Sequence, residues 1–231
     1  RDEWYSLQKI LRQEWVESSL SDLEQEEPDD LMMHPLRLAL EVQSLMNQND
    51  WLVIDGGNTH FWSEIAVNLA GAQGKELAGI LHPGSFSMLG VGVSFGLAAK
   101  LNHPKDRVVV ISGDGAFLSG GLSIEAAFQE NVPITVVIDN NGGLTTISQQ
   151  QERLFADERH VATDFRDIPF HTMFEGMGGH GELVEKPEDL KAALERALSS
   201  GKTACVNVRT RSAISPIVLA TTSKRDKASI E

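Results

Sequence analysis

Residues 108–143 read VVVISGDGAFLSGGLSIEAAFQENVPITVVIDNNGG. Val108–Ile111 and Ile134–Ile138 are short, β-branched apolar runs bounded by turn residues, the pattern of buried strands. Between them Leu122, Ala126, Ala127 and Phe128 recur at roughly helical spacing. Strand, turn, helix and strand make the βαβ unit of a parallel sheet with a right-handed crossover. Each strand runs into a polar, glycine-bearing turn: Gly113-Asp114-Gly115 after the first, Asp139-Asn140-Asn141-Gly142-Gly143 after the second. Open α/β sheets bind ligands outside the carboxyl ends of their strands. Asp114 and the asparagines are therefore placed to converge on one bound group.

The same alternation extends in both directions. Upstream, His34-Pro35 opens a helix to about Gln48, Trp51–Ile54 is a strand, and Asp55-Gly56-Gly57-Asn58-Thr59-His60 is another polar glycine turn at a strand end. A short helix over Phe61–Leu69 and a short strand over Gly79–His82 follow. Gly90, Gly92, Ser94, Gly96, Ala98 and Ala99 form a run of small residues. Glycine inside a helix costs stability, so the run marks close approach of another helix or a ligand, tight helix packing with no ligand being the plain alternative for Gly92 and Gly96. Downstream, residues 144–164 show no clean period and read as a loop or short helix near the site. Phe165–Gly176 reads as a helix and Glu182–Glu185 as a strand. Pro187 and Asp189 suit the start of a helix whose stripe is Leu190, Ala193, Leu194, Ala197 and Leu198, ended by Gly201. Ala204–Val208 is a last buried strand. Alternating β and α elements predict an α/β domain with a mainly parallel sheet and helices on both faces. That domain is expected over 34–215. Residues 1–33 read as a helical segment (Trp4, Leu7, Ile10, Leu11, Trp15 and Leu20) with an acidic linker, SDLEQEEPDD, and 216–231 as a polar tail.

Composition bounds what such a domain does. The 231 residues carry a net charge of −13 and one cysteine. A strongly acidic chain repels polyanions, which argues against non-specific binding of nucleic acid or of anionic membranes. Cys205, inside TACVNV, reads as a small core residue, and a single cysteine suits a cytoplasmic setting. No apolar run approaches the length of a membrane span. No GxGxxG follows a strand, so a dinucleotide-binding reading has little support.

Taken singly, each turn has an ordinary structural explanation: aspartate caps helices, and Asn and Gly tolerate left-handed turns. The combination is different. A carboxylate and an amide oxygen stand at the ends of two neighbouring strands, and both are hard oxygen donors of the kind Mg²⁺ takes alongside phosphate oxygens and water. The Gly115 and Ala116 amides, near a helix start, can face phosphate oxygens.

The GDG–spacer–NN pattern resembles the cofactor motif of thiamine diphosphate-dependent enzymes. Over about residues 34–210 the chain resembles the carboxyl-terminal, diphosphate-binding domain of the acetolactate synthase, benzaldehyde lyase and 2-hydroxyacyl-CoA lyase group. HPLRLALEV, VIDGGNTHFW, SMLGVG, SGDGAF and VVIDNNGG occur in the family's order. The resemblance implies thiamine diphosphate and Mg²⁺ as cofactors. It implies Asp114, Asn141 (side-chain oxygen) and Gly143 (backbone carbonyl) as metal ligands. Gly113, Gly115, Ala116, Asn58 and Thr59 would contact the diphosphate. Leu89 would wedge between the cofactor's two rings, with the Ser87 carbonyl facing its 4′-amino group. His60 and His82 are pocket-lining candidates against an ordinary structural role for each, and Glu125 reads as a packing or cap residue.

No catalytic residue is assigned on this chain. In the family the activating glutamate sits on a separate pyrimidine-binding domain, which nothing here matches. That domain is the expected partner, in the same polypeptide or in another subunit, within a homodimer or tetramer. Alone, the chain is expected to bind cofactor poorly and to be inactive. The implied reaction makes or breaks a C–C bond beside the carbonyl of a 2-oxo acid, aldehyde or 2-hydroxy ketone. It is acetolactate synthase-like first, with lyase or 2-oxo acid decarboxylase activity as the alternative. A non-catalytic assembly or regulatory domain of the same fold is the rival class.

Overall fold

The computed structural model describes residues 2–24, 32–155 and 160–222. Its centre is a sheet of six strands, β1 (Trp51–Asp55), β2 (Gly79–Leu81), β3 (Val108–Gly113), β4 (Thr135–Asn140), β5 (His180–Val184) and β6 (Ala204–Arg209), in the order β2-β1-β3-β4-β6-β5. Every pairing is parallel. A parallel sheet is covered on both faces, so its strands are apolar without alternation. β3 and β4 meet that condition, with all residues of both buried.

The two-residue period of the strands divides the core. Leu52, Ile54, Val109, Ile111, Val137, Val206 and Val208 point to one face. There they meet α2 (Pro35–Leu45), α3 (Asn58–Ala72) and α9 (Leu190–Ser199) through residues such as Leu38, Trp62, Ala66 and Leu194. Val53, Val108, Val110, Val136, Ile138 and Cys205 point to the other face. They pack on α4 (Gly92–Asn102), α5 (Asp114–Gly120), α6 (Glu125–Gln129) and α8 (Phe170–Gly176) through Val93, Phe117, Ala127 and Phe174. Cys205 is wholly buried, and burial pushes its thiol pKa up, as befits a packing residue.

Several boundaries differ from the sequence expectation. The β3–β4 crossover is not one helix. α5 passes through a 3-10 turn at Gly121–Ile124 into the short α6, because Gly120 and Gly121 interrupt it. Leu122 consequently faces solvent at 67% exposure and is no part of a buried stripe. The helix after β1 starts at Asn58 rather than Phe61 and runs to Ala72. Residues Thr145–Leu154 form a regular helix, α7. α8 begins only at Phe170, after Pro169, and β5 starts two residues earlier than expected, at His180.

At the amino end, α1 (Asp2–Glu24) bears the expected stripe, yet Trp4, Leu7, Ile10, Leu11 and Trp15 are exposed while Val16 and Leu20 pack on the core. Most of the acidic linker lies outside the described residues. The segment assigned to a polar tail opens with α10 (Pro216–Thr222), whose Val218 is buried; the rest of it also lies outside the described residues. Among the described residues no helix is long and apolar enough to cross a membrane.

The chain leaves β1 outward to β2, then returns to the opposite side of β1 for β3. The direction of winding reverses there, which opens a crevice at the carboxyl ends of β1 and β3.

Candidate functional site

Three turns meet at that crevice: Gly56–His60 after β1, Gly113–Ala116 after β3 and Asn141–Ile147 after β4. With the loop His82–Leu89 they line a cavity of about 700 Å³. Asn58, Thr59, Ser87, Leu89, Gly113, Asp114, Gly115, Ala116, Asn141 and Gly143 all lie on its wall, as do His60 and His82. Glu125 stands apart from it, in the first turn of α6.

Asp114 joins two of the turns. Its Oδ1 accepts from Gly115 N–H at 2.7 Å, and its Oδ2 accepts from Gly142 and Gly143 N–H at 2.9 Å each. Three of the roughly four acceptor positions of a carboxylate are thus filled. The β4 turn is clasped from behind, with Leu144 N–H donating to Thr163 O and Phe165 N–H to Gly142 O, both at 2.8 Å. This contact explains Gly143: a Cβ there would lie 2.2 Å from Thr163 O. Asn141 Oδ1 is buried and accepts no hydrogen bond. Gly143 O accepts from Thr145 N–H at 2.9 Å and keeps a second lone pair.

Burial raises the Asp114 pKa to about 7, reinforced by the nearby Asp139 and opposed by the three N–H donors. A carboxyl whose pKa is raised by folding favours the folded state less as it ionises. The ligand-free protein therefore loses stability on this account as pH rises from about 4, the unfolded value, towards 7. Asp114→Asn removes that titration. We expect the stability difference, variant minus wild type, to grow by on the order of 3 kcal/mol between pH 4 and pH 8. Urea unfolding at several pH values measures it, and a flat difference would contradict the burial of this charge.

Behind the cavity wall lies a polar network that the sequence did not announce. Asp139 is fully buried in β4, and burial raises its pKa. It accepts from Thr59 Oγ1 at 2.7 Å and from Thr210 Oγ1. Gly113 must lack a side chain because a Cβ would lie 2.9 Å from Thr59 Oγ1. Asn58 is similarly engaged. Its N–H donates to Thr146 Oγ1 (2.9 Å), its Nδ2 to Gln149 Oε1 (2.7 Å) and Thr145 Oγ1 (3.4 Å), and its Oδ1 accepts from Ser215 N–H (3.4 Å). Asn58 and Thr59 thus use their side chains to tie α3 to α7 and to β4. The visible signal was a charged residue inside an otherwise apolar strand, VVID.

In the sequence Asp55 is only the first residue of a turn; in the fold it ends β1. It is buried, burial raises its pKa, and it accepts from Gly92 N–H at 2.7 Å and from Gly90 N–H at 3.1 Å. These bonds fix the end of the loop that carries Ser87 and Leu89. Ser87 holds the left-handed region (φ 48°), with its N–H donating to Gly84 O at 3.1 Å. Leu89 is 40% exposed at the cavity rim. Gly92 and Gly96 have the packing explanation: a Cβ on either would lie 2.7 Å from Asp55 Cβ or Val110 Cγ2, because α4 lies directly on β1 and β3.

The arrangement gathers three backbone amides on one carboxylate and leaves one amide oxygen unsatisfied, next to an apolar rim. Over residues 55–208 the sequence matches the family model described as thiamine pyrophosphate enzyme, C-terminal TPP binding domain. It is 35% identical over 199 residues to a probable acetolactate synthase of Mycobacterium bovis and to the acetolactate synthase large subunit of Mycobacterium tuberculosis. These alignments cover 84% of this chain and 35% of each relative. The 2-hydroxyacyl-CoA lyase 2 of Mus musculus is 30% identical over 174 residues, covering 75% of this chain and 26% of the relative. The chain thus spans about a third or less of the length of these curated relatives.

Proposed function

Since the chain belongs to the thiamine pyrophosphate enzyme family, as the C-terminal cofactor-binding domain of such enzymes, we propose that the cavity at the ends of β1, β3 and β4 holds the diphosphate of thiamine diphosphate together with Mg²⁺. The observation that carries the metal is Asn141 Oδ1, a buried oxygen with no hydrogen-bond donor, on the same wall as the Asp114 carboxylate. An unsatisfied buried acceptor costs about 1–3 kcal/mol, and a cation removes that cost. Asp114, Asn141 and the Gly143 carbonyl offer only hard oxygens, the donor type that suits Mg²⁺. Gly113, Gly115 and Ala116 bring the β3 turn up to the diphosphate. Asn58 and Thr59 hold the β1 turn in place through Gln149, Thr146 and Asp139. Asp55 holds the loop from which Leu89 would wedge the cofactor and the Ser87 carbonyl would face its amino group.

Bound there, thiamine diphosphate supplies the electron sink for making or breaking a C–C bond beside a carbonyl. The acetolactate synthase relatives support a 2-oxo acid carboligation, and the 2-hydroxyacyl-CoA lyase relative supports the lyase reading. The activating glutamate is assigned to a pyrimidine-binding domain, in the same polypeptide or in a partner subunit, within a cytoplasmic homodimer or tetramer. In the enzyme that carries this chain, thiamine diphosphate with Mg²⁺ should raise the melting temperature, and thiamine diphosphate with a chelator should not. Equal stabilisation with and without the metal would refute the proposed metal site.

A further inference from the structure

A second side-chain cluster on the same cavity has different chemistry. His60 and Glu64 are one helical turn apart on α3 and therefore share a face. His60 Nε2 lies 2.8 Å from Glu64 Oε1. His82, just beyond the end of β2, packs edge-on against His60 with ring centroids 5.3 Å apart. One ligand atom from each of the three residues lies within 4.8 Å of the other two. His60 is 13% exposed at its side chain and Glu64 39%, His82 is exposed, and all three line the cavity.

We propose that His60, Glu64 and His82 bind a divalent transition-metal ion, Zn²⁺ by preference, at a site separate from the Asp114 turn. Two imidazoles and one carboxylate are a donor set that Zn²⁺ takes while keeping a coordination position open. Imidazole donors disfavour Mg²⁺, which selects oxygen and water, so the two ions are sorted by ligand type. Metal–nitrogen and metal–oxygen bonds of about 2.0–2.2 Å place neighbouring donors roughly 3–3.5 Å apart. The His60–Glu64 pair is already closer than that, so an ion between them replaces the proton they share. His82 must approach by rotation of an exposed side chain. Among the described residues its Nδ1 accepts from Gly84 N–H alone, at 3.2 Å, in a loop whose Gly84 has φ +60°. Zn²⁺ there opens its free position to the cavity, where it takes a carboxylate or carbonyl oxygen of a small ligand. The metal site stands on the three side chains alone and does not depend on what else the cavity holds.

The test is titration of the chelator-treated full chain with Zn²⁺ by calorimetry and with Co²⁺ by visible absorption. One ion per chain should bind, and Co²⁺ should give the intense d–d bands of a four- or five-coordinate site. His60→Ala, His82→Ala and Glu64→Gln should each weaken binding by about 10-fold or more; the last keeps a hydrogen bond to His60 and so guards against misfolding. Asp114→Ala should leave Zn²⁺ affinity unchanged, which separates this site from the proposed Mg²⁺ site. The surface group of His160, Glu152 and Asp164 is the competing position. Loss of binding on His160→Ala alone, or no change in any of the three cavity variants, overturns the proposal.

Discussion

An Asp114→Ala variant should lose Mg²⁺-dependent thiamine diphosphate binding by at least about 100-fold, measured by calorimetry on the enzyme that carries this chain. Two losses combine. The proposed ion forfeits its only charged protein ligand, and three N–H groups, those of Gly115, Gly142 and Gly143, lose their shared acceptor. The second loss frees the β4 turn from the β3 turn, so Asn141 and Gly143 are no longer held against Gly115. Asn141→Ala separates these effects. Its Oδ1 takes no hydrogen bond from the protein, so its removal should leave the ligand-free melting temperature unchanged or slightly raised. Metal-dependent binding should still fall. Binding that survives in both variants would place the ion elsewhere.

Gly120→Val should produce the largest change in folding. The ideal Cβ of Gly120 lies 2.0 Å from the carbonyl oxygen of Gly90, and that of Gly90 lies 2.9 Å from Gly120 N. Two backbones touch here, and no flexible side chain can yield. Overpacking costs about 1–3 kcal/mol where side chains can shift, and a backbone clash belongs at or above the top of that range. At about 2–4 °C per kcal/mol for a chain of this size, the melting temperature should fall by roughly 6–12 °C. The loop carrying Leu89 must also move away from α5, so cofactor affinity should fall with stability. Gly142→Ala is the contrast. Its φ is +84° with nothing within 4 Å of a Cβ, so only the left-handed strain of about 1 kcal/mol applies. If the two variants melt together, the Gly90–Gly120 contact is not the constraint described.

The difference between these glycines was not legible in the sequence. Gly90, Gly92 and Gly96 stand out as a run that marks close approach; the neighbour of Gly92 and Gly96 is the sheet, at Asp55 and Val110, rather than another helix, and that of Gly90 is Ser119 and Gly120 of α5. The paired turns were legible, because GDG and NNGG each end a β-branched run, and strands linked by one crossover usually lie side by side. β3 and β4 do pair, with Gly113 opposite Asp139. α7 was not legible. Its residues, TTISQQQERL, are mostly polar, and only Ser148 and Gln149 are buried. The helix is held by hydrogen bonds to Asn58 and Ser212 rather than by an apolar stripe.

What the sequence determined by itself is local and chemical. β-branched runs fix the strands, because each must be buried on both faces of a parallel sheet. Glycine, aspartate and asparagine fix the turns at their ends, and with them the hard-oxygen donors. What the tertiary structure decided is which donors remain available. Thr59 and Thr210 meet Asp139 across 80 and 71 residues of chain, and Asn58 meets Gln149 across 91. Asp55 reaches Gly92 across 37. Such bonds leave no periodicity to read, since they depend on strand order rather than on spacing. They commit Asp55, Asp139 and Asn58 to holding the site together, and they leave Asn141 Oδ1 without a partner beside Asp114.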